Sequence, residues 1–408
     1  QHAWSADVDH YLSVRGDKLH LLRWDQPAVD WTEHYKMSDV ASKLDVFQRY
    51  IESKQAPRER SVVSRAVSVY RAVRARGHKN GDREAMLAFM AVLNVAWTHQ
   101  DKKTSFTNHW LEAAEAGDAA QSLLGSIGID MVVEQLLRPD MTNNKPPSIP
   151  LMLRHASGRI FQEAHYLALA PIQTDLFFDG QVKVAGPASK ALGAFFTPTP
   201  LVRTLAEQSL NRVDLKSKRM HVFDPACGSG EFLREAVRQL ALRGYKGQVK
   251  VTGYDISPPA CLMARFGLAA EAATFGGSLT ITIEHRDALD GQEWVSGVDV
   301  CLMNPPFVAW VDMTASQRET VSRVLGETHV KRPDMASAFV RLAVGSLSQS
   351  AVIGAVLPAS FLDGNSSARL REFLLQGTTV ELSARLGNQA VFMDVTVDPA
   401  LLILKRHA

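Results

Sequence analysis

VFDPACGSGEFL, residues 222–233, is the stretch that decides the fold. An apolar run ends on an acid, Asp224, a glycine-bearing turn follows, and Phe232 and Leu233 open an amphipathic segment. Strand, tight turn and helix in that order make a βα unit whose loop can approach a ligand. Gly228 and Gly230 let the backbone turn sharply and come close to a bound molecule with no Cβ in the way. The acid stands before the glycines and no GxGxxG is present, so an anionic pyrophosphate is poorly matched. A cation-bearing amino acid ligand fits better.

Outward from this stretch the texture is consistent. After Gly193, short β-branched runs alternate with helical segments: HVFD, VKVTGYD, LTITIEH, VDVCLMN, AVIGAVL and VELSARL, with ALLILKR as a last strand. The series predicts an α/β fold, a doubly wound, mostly parallel sheet. Upstream, from Lys43 to about Ala170, apolar residues recur at helical spacing, as in Val62, Val63, Ala66, Val67, Tyr70 and Val73. That half reads as all-helical. A polar, proline-bearing stretch at 139–150 interrupts it, and the loop 179–193 takes the domain boundary. The expected organisation is a helical domain, residues 1–185, followed by the sheet domain, 186–408.

Composition narrows the function classes. The 408 residues are 46% hydrophobic, enough for at least one large core, and two domains are the default for this length. Lysine and arginine number 45 against 43 aspartate and glutamate, so any attraction for nucleic acid has to be local. Cys227, Cys261 and Cys301 form no CxxC pair, which argues against a disulfide framework and a zinc site and for a reducing cytoplasm. The apolar run Ala85 to Trp97 is too short for a bilayer and reads as a buried helix; no membrane association is expected. No signal pattern opens the chain, and Gln1 in place of methionine suggests a piece of something longer.

Candidate site residues cluster at predicted strand ends. Asp255, in Gly253-Tyr254-Asp255-Ile256, stands where an acid accepts ribose hydroxyl bonds in doubly wound folds, and Ile256 beside it offers an apolar surface to an adenine face. Asp287, after the third strand, is either an acceptor for an adenine amine or an ordinary turn aspartate. The fourth strand runs into Asn304-Pro305-Pro306-Phe307, whose prolines stiffen the backbone and leave the Asn304 side chain and the Pro305 carbonyl as fixed acceptors. An aromatic amine delocalises its lone pair into the ring, and two acceptors aimed at its two N–H groups localise that pair for attack on a methyl donor without a strong base. Phe307 would stack on the base. A base in a duplex must be flipped out to reach such a pocket, at about a few kcal/mol.

From Gly193 to Arg406 the sequence resembles the gamma-class N6-adenine DNA methyltransferases of restriction–modification and phage-defence systems. The motifs that carry the resemblance are GAFFTP at 193–198, DPACGSGEFL, GYD, RDAL, NPPF, DMASAF at 334–339, AVLPASF at 355–361 and VFMDVTV at 391–397, in the family's order. The resemblance implies S-adenosyl-L-methionine as cofactor, held by Phe196, Thr197, Pro198, Asp224, Ala226, Gly228, Gly230, Asp255, Ile256, Asp287, Ala288 and Asn304. It implies catalysis at Asn304, Pro305, Pro306 and Phe307, a target-base pocket of Phe307 and Phe392, no metal, and double-stranded DNA as substrate in a bacterial or archaeal cytoplasm. Taken singly, Phe339 and Phe392 read as core aromatics. In the family a target-recognition region normally follows the motif matched by VFMDVTV, and the resemblance leads us to expect that a separate specificity subunit or a missing carboxyl-terminal region reads the site.

The helical half carries a basic stretch: Lys54, Arg58, Arg60, Arg65, Arg71, Arg74, Arg76 and Lys79 against Glu52 and Glu59. It is either a phosphate-contacting face or a solvated helix face. Asp45 with Glu52-Ser53-Lys54 resembles a nuclease D…ExK set, but lies in a helical pattern. Release-factor glutamine methyltransferases also use Asn-Pro-Pro-aromatic, which makes a protein or RNA N-methyltransferase the nearest rival reading. A catalytically silent scaffold of a defence complex is the non-enzymatic one.

Overall fold

The computed structural model describes residues 11–22, 34–53, 59–76, 82–100, 125, 128–138, 149, 152–153, 197, 199–272, 275–386 and 398–407. The chain divides into two compact units, Gln1–Ile172 and Gln173–Ala408. The division falls earlier than the loop chosen from composition.

The first unit opens with a three-stranded antiparallel sheet of β1 (Tyr11–Arg15), β2 (Lys18–Leu22) and β3 (His34–Lys36). A two-residue turn joins β1 to β2, with Gly16 at φ +62° where an L side chain would be strained. This sheet precedes the helical pattern and was not expected, so the unit is not all-helical. The described remainder is: α1 (Met37–Ser42), α2 (Leu44–Ser53), α3 (Glu59–Arg76), α4 (Asp82–Gln100) and α5 (Ile129–Leu137). On α3 the residues Ala66, Val67, Tyr70 and Val73 are buried, as their spacing requires, and Tyr70 meets Phe89 of α4 edge-on at 5.4 Å. From Ala85 to Leu93, α4 is buried on every side, so its apolar run is a core helix.

In the second unit each predicted strand run is a strand: β4 (Arg219–Asp224), β5 (Gln248–Asp255), β6 (Ser278–His285), β7 (Val300–Met303), β8 (Val352–Pro358), β9 (Thr378–Arg385) and β10 (Pro399–Arg406). Their order is β6-β5-β4-β7-β8-β10-β9, parallel from β6 through β8, with β10 antiparallel to both neighbours. Side chains alternate across the sheet: Met220, Val222, Val300 and Leu302 enter one core, while Phe223, Cys301 and Met303 enter the other. The first core is covered by α6 (Thr199–Leu210), α7 (Glu231–Leu242) and α8 (Pro258–Ala272). The second is covered by α9 (Ala315–Leu325), α10 (Met335–Ser346) and α12 (Ala368–Gly377), the short α11 (Ser360–Asp363) preceding α12.

The chain leaves β4 toward β5 and β6, then returns to place β7 on the other side of β4. The order therefore reverses between β4 and β7, and ligands of open α/β sheets bind in the crevice at the carboxyl ends of such a pair. The two quoted motifs follow these two strands.

Candidate active site

The turn after β4 is fixed by backbone hydrogen bonds reaching β5. Cys227 N donates to the Tyr254 carbonyl at 2.9 Å, and Gly228 N donates to Asp255 Oδ2 at 2.9 Å. The other carboxylate oxygen of Asp255 accepts from Ser257 N at 2.8 Å. Asp255 thus clamps the glycine turn with one oxygen and the start of α8 with the other. Gly230 has φ +82°, and a Cβ there would stand 3.1 Å from the Ala264 Cβ, so glycine is required both by conformation and by close packing on α8. A Cβ on Gly253 would lie 2.8 Å from the Cys227 sulfur. Gly253 therefore lets β5 and the turn touch, a role the sequence reading did not assign; a glycine inside a strand run was the available signal.

Asp224, at the end of β4, is buried, and Oδ1 accepts from Ala226 N at 2.9 Å. Burial pushes its carboxyl well above the usual carboxylate range; the Ala226 N–H opposes this and the nearby Asp255 carboxylate adds to it. The Ala226, Cys227 and Gly228 N–H groups of the turn are bonded to Asp224, the Tyr254 carbonyl and Asp255, an arrangement poorly suited to receiving a pyrophosphate. Ile256 is 63% exposed at the end of β5, leaving its apolar surface open. Asp287 is exposed and accepts from Leu289 N at 2.8 Å, the turn geometry of its plainer reading, and Ala288 is buried, its carbonyl accepting from the Trp294 indole at 2.8 Å.

Asn304, Pro305, Pro306 and Phe307 leave the end of β7 at the switch point. Pro305 is buried, and the half-buried Phe307 packs against both cores. Asn304 Nδ2 donates to Thr197 Oγ1 at 2.8 Å, joining residues 107 positions apart. The segment beyond is tied to α10 by a bond from Met335 N to the Val308 carbonyl at 3.0 Å. Asp334 caps that helix, accepting from Ser337 N at 2.9 Å and its hydroxyl at 2.8 Å. Phe339 is a core aromatic, 6.4 Å from the Trp294 ring. Phe196, Pro198 and Phe392 lie outside the described residues.

All three cysteines are buried, and burial raises their thiols, that of Cys261 to about 12. Asp45 lies on the helix α2, as its helical pattern predicted. Of the basic stretch, Lys54, Arg58 and Lys79 lie outside the described residues. Arg65 donates to the Arg138 carbonyl at the end of α5, so at least this arginine serves the unit's own packing. No helix among the described residues is long and apolar enough to cross a membrane.

A family model described as N-6 DNA Methylase matches residues 182–408, more than half of the chain. Among curated proteins, the type II methyltransferase M.BanIII of Aneurinibacillus aneurinilyticus is 23% identical over 215 residues, covering 50% of this chain and 37% of that protein. The type I restriction enzyme MpnII methylase subunit of Mycoplasma pneumoniae is 25% identical over 238 residues, covering 54% of this chain and 41% of that protein. The chain thus spans about two fifths of the length of these relatives. Among solved structures, the cryo-EM structure of the DrdV–DNA complex superposes with a TM-score of 0.55 at 14% identity, covering 98% of this chain and 46% of that one. At that identity the likeness speaks for the fold alone.

Proposed function

Because the chain belongs to the N-6 DNA methylase family, we propose that it transfers a methyl group from S-adenosylmethionine to N6 of an adenine flipped out of duplex DNA, within a restriction–modification or phage-defence system. The observation that carries the reading is the meeting, at one switch point, of a carboxylate-clamped glycine turn and an Asn-Pro-Pro-Phe segment.

The residues present fit the cofactor. Asp255 supplies negative charge for its cationic methionine end and hydrogen-bond acceptors for its ribose, while the buried Asp224 carboxyl holds the turn beside them through the Ala226 N–H. The open apolar surface of Ile256 suits an adenine face, and the turn brings backbone close without side chains at Gly228 and Gly230. The two carboxylate oxygens of Asp255 accept from Gly228 N and Ser257 N, which holds the carboxylate at the rim of the turn. When bound, S-adenosylmethionine supplies an electrophilic methyl group. The chain's part is to prepare the nucleophile. Asn304 Oδ1 and the Pro305 carbonyl accept the two N–H groups of the target amine and draw its lone pair out of the ring, stabilising positive charge as it develops on nitrogen. Phe307 stacks on the flipped base and offsets part of the extrusion cost.

Sequence readout belongs to another component. Support comes from the likeness to a protein named as the methylase subunit of a type I restriction enzyme. A specificity subunit or a carboxyl-terminal recognition region would supply base-edge contacts, since phosphate contacts position without specifying. The test is methylation mapping of one plasmid by the chain alone and by the chain with its reader. The expected result is weak, dispersed methylation alone and motif-confined adenine methylation together. Efficient motif-specific methylation by the chain alone would place the reader within it.

A further inference from the structure

We propose that the cleft at the amino-terminal edge of the sheet, where β4, β5 and β6 begin, binds an oligophosphate, a small ligand of two or more linked phosphate groups such as a nucleoside triphosphate. The site is separate from the switch point and does not rest on the methyl-transfer reading. Gln248, which lines the cleft, and Asp255, which clamps the glycine turn, stand at opposite ends of β5, roughly 23 Å apart.

The cleft has a volume of about 680 Å³, in the range of a small-ligand pocket and well beyond what one phosphate fills. Its charge has one sign. Lys218, Arg219, Arg243 and Lys246 line it, with no aspartate or glutamate among the described lining residues. Arg243 is held in place, donating to Asn211 Oδ1 at 2.7 Å and to the Gln239 and Glu207 carbonyls at 3.3 Å. Lys218, Arg219 and Lys246 are exposed and enter no ion pair among the described residues. A concave surface lined by one sign of charge concentrates its field and draws in counter-ions. Four cations on neighbouring turns suit a ligand whose negative charges are close together, and ammonium and guanidinium groups both bind phosphate oxygens through charge-assisted hydrogen bonds.

The floor is close-packed backbone. Gln248 N donates to the Lys218 carbonyl at 2.9 Å, and Ser217 Oγ donates to the Arg219 carbonyl at 2.7 Å. A Cβ on Gly277 would stand 2.6 Å from the Gly247 carbonyl oxygen, and one on Gly247 would stand 2.6 Å from the Lys218 carbonyl oxygen and 2.5 Å from Tyr245 Oη. The three turns therefore meet without side chains between them. Tyr245, also lining the cleft, is 8% exposed, and its hydroxyl is buried with no hydrogen-bond partner. Buried hydroxyls in native folds are nearly always paired, so an orphan at the floor of a cationic cleft marks a donor that a ligand would satisfy. Burial, with the Asp299 carboxylate, raises this phenol above the usual tyrosine range, which keeps it a donor. Gly247 closes over the hydroxyl with no side chain of its own, so a small displacement of one glycine admits a phosphate oxygen to it.

The test is calorimetric titration of the whole chain with inorganic tripolyphosphate, beside two variants: Tyr245→Phe, and Lys218→Ala combined with Lys246→Ala. Saturable one-to-one binding is expected for the unaltered chain. The double lysine variant should weaken it by about tenfold or more and Tyr245→Phe by about tenfold, the scale of charge-assisted hydrogen bonds. Affinity for S-adenosylmethionine should stay within about twofold in both. The apo melting temperature of Tyr245→Phe should be no lower than that of the unaltered chain, since the hydroxyl removed has no partner in the fold. Adenosine triphosphate should bind as tripolyphosphate does and lose affinity in the same variants. No binding of tripolyphosphate, unchanged affinity in either variant, or a destabilised apo Tyr245→Phe would overturn the proposal. So would a lysine variant that loses affinity only for a short DNA duplex, which would make the cleft a nucleic-acid surface.

Discussion

Asp255→Asn is the substitution that separates this site from a merely well-packed turn. The carboxylate accepts from Gly228 N at 2.9 Å through one oxygen and from Ser257 N at 2.8 Å through the other. Asparagine is nearly isosteric but has a single acceptor atom, so whichever way its amide turns, one backbone N–H faces an NH2 group. Leaving a part-buried donor unsatisfied costs about 1–3 kcal/mol. For a unit of this size each kcal/mol moves the melting temperature by roughly 2–4 °C, so a drop of about 2–12 °C is expected. The cofactor loses its charge-assisted ribose bonds as well. At roughly 1.5–3 kcal/mol for such a bond, affinity for S-adenosylmethionine should fall about 10- to 150-fold. Thermal unfolding of the apo protein and calorimetry with the cofactor measure the two effects separately. An Asp255→Asn protein with unchanged melting temperature and unchanged affinity would refute both the clamp and the cofactor role.

Asp224 gives a pH signature. Its carboxyl is raised in the folded protein, chiefly by burial, so the folded state holds a proton that the unfolded state releases. Its favourable contribution is full below the ordinary carboxylate range and is lost as pH rises through the raised value, so Asp224→Asn should flatten the pH dependence of apo stability above about pH 4 and raise the melting temperature at neutral pH. A destabilised Asp224→Asn protein at pH 7 would contradict this. Gly230→Ala forces a side chain into φ +82° and to 3.1 Å from Ala264, and should cost about 1–2 kcal/mol in strain alone, read by denaturant unfolding; a neutral effect would mean the turn is soft. Glu271→Ala strands the buried Arg234 and Arg238, which both bond to it, and should destabilise by about 3–5 kcal/mol; a loss below about 1 kcal/mol would show that water or Glu231 and Glu235 replace it.

The strands of the second unit were legible because a sheet covered on both faces writes itself as short apolar runs, and the motifs after β4 and β7 marked the strand ends that matter. Strand order was not legible, since pairing partners such as β4 and β7 are separated by two βα units and nothing local records which neighbours meet. The amino-terminal sheet escaped because β2, KLHLL, is short and buries only Leu19 and Leu21 among its described side chains, too brief an alternation to stand out. The site shows the same divide. Asp224, Asp255 and Asn304 declared themselves by residue type at strand ends. The double grip of Asp255 and the bond from Asn304 to Thr197 depend on contacts 27 and 107 residues apart, which no spacing rule encodes. For Asp287, sequence left two readings, and the bond to Leu289 N is the turn of the plainer one.

The central claim is chemical: Asn304 and its neighbours prepare an adenine amine for methylation. Its most direct measurement is mass spectrometry of nucleosides from the DNA of a methylation-deficient host expressing the chain with its sequence reader, beside the same host carrying Asn304→Ala. The account predicts N6-methyldeoxyadenosine in the first and its loss by about a hundredfold or more in the second, with cofactor affinity nearly intact. Methylated DNA at equal levels in both hosts, or methyl groups found only on RNA or protein, would contradict it.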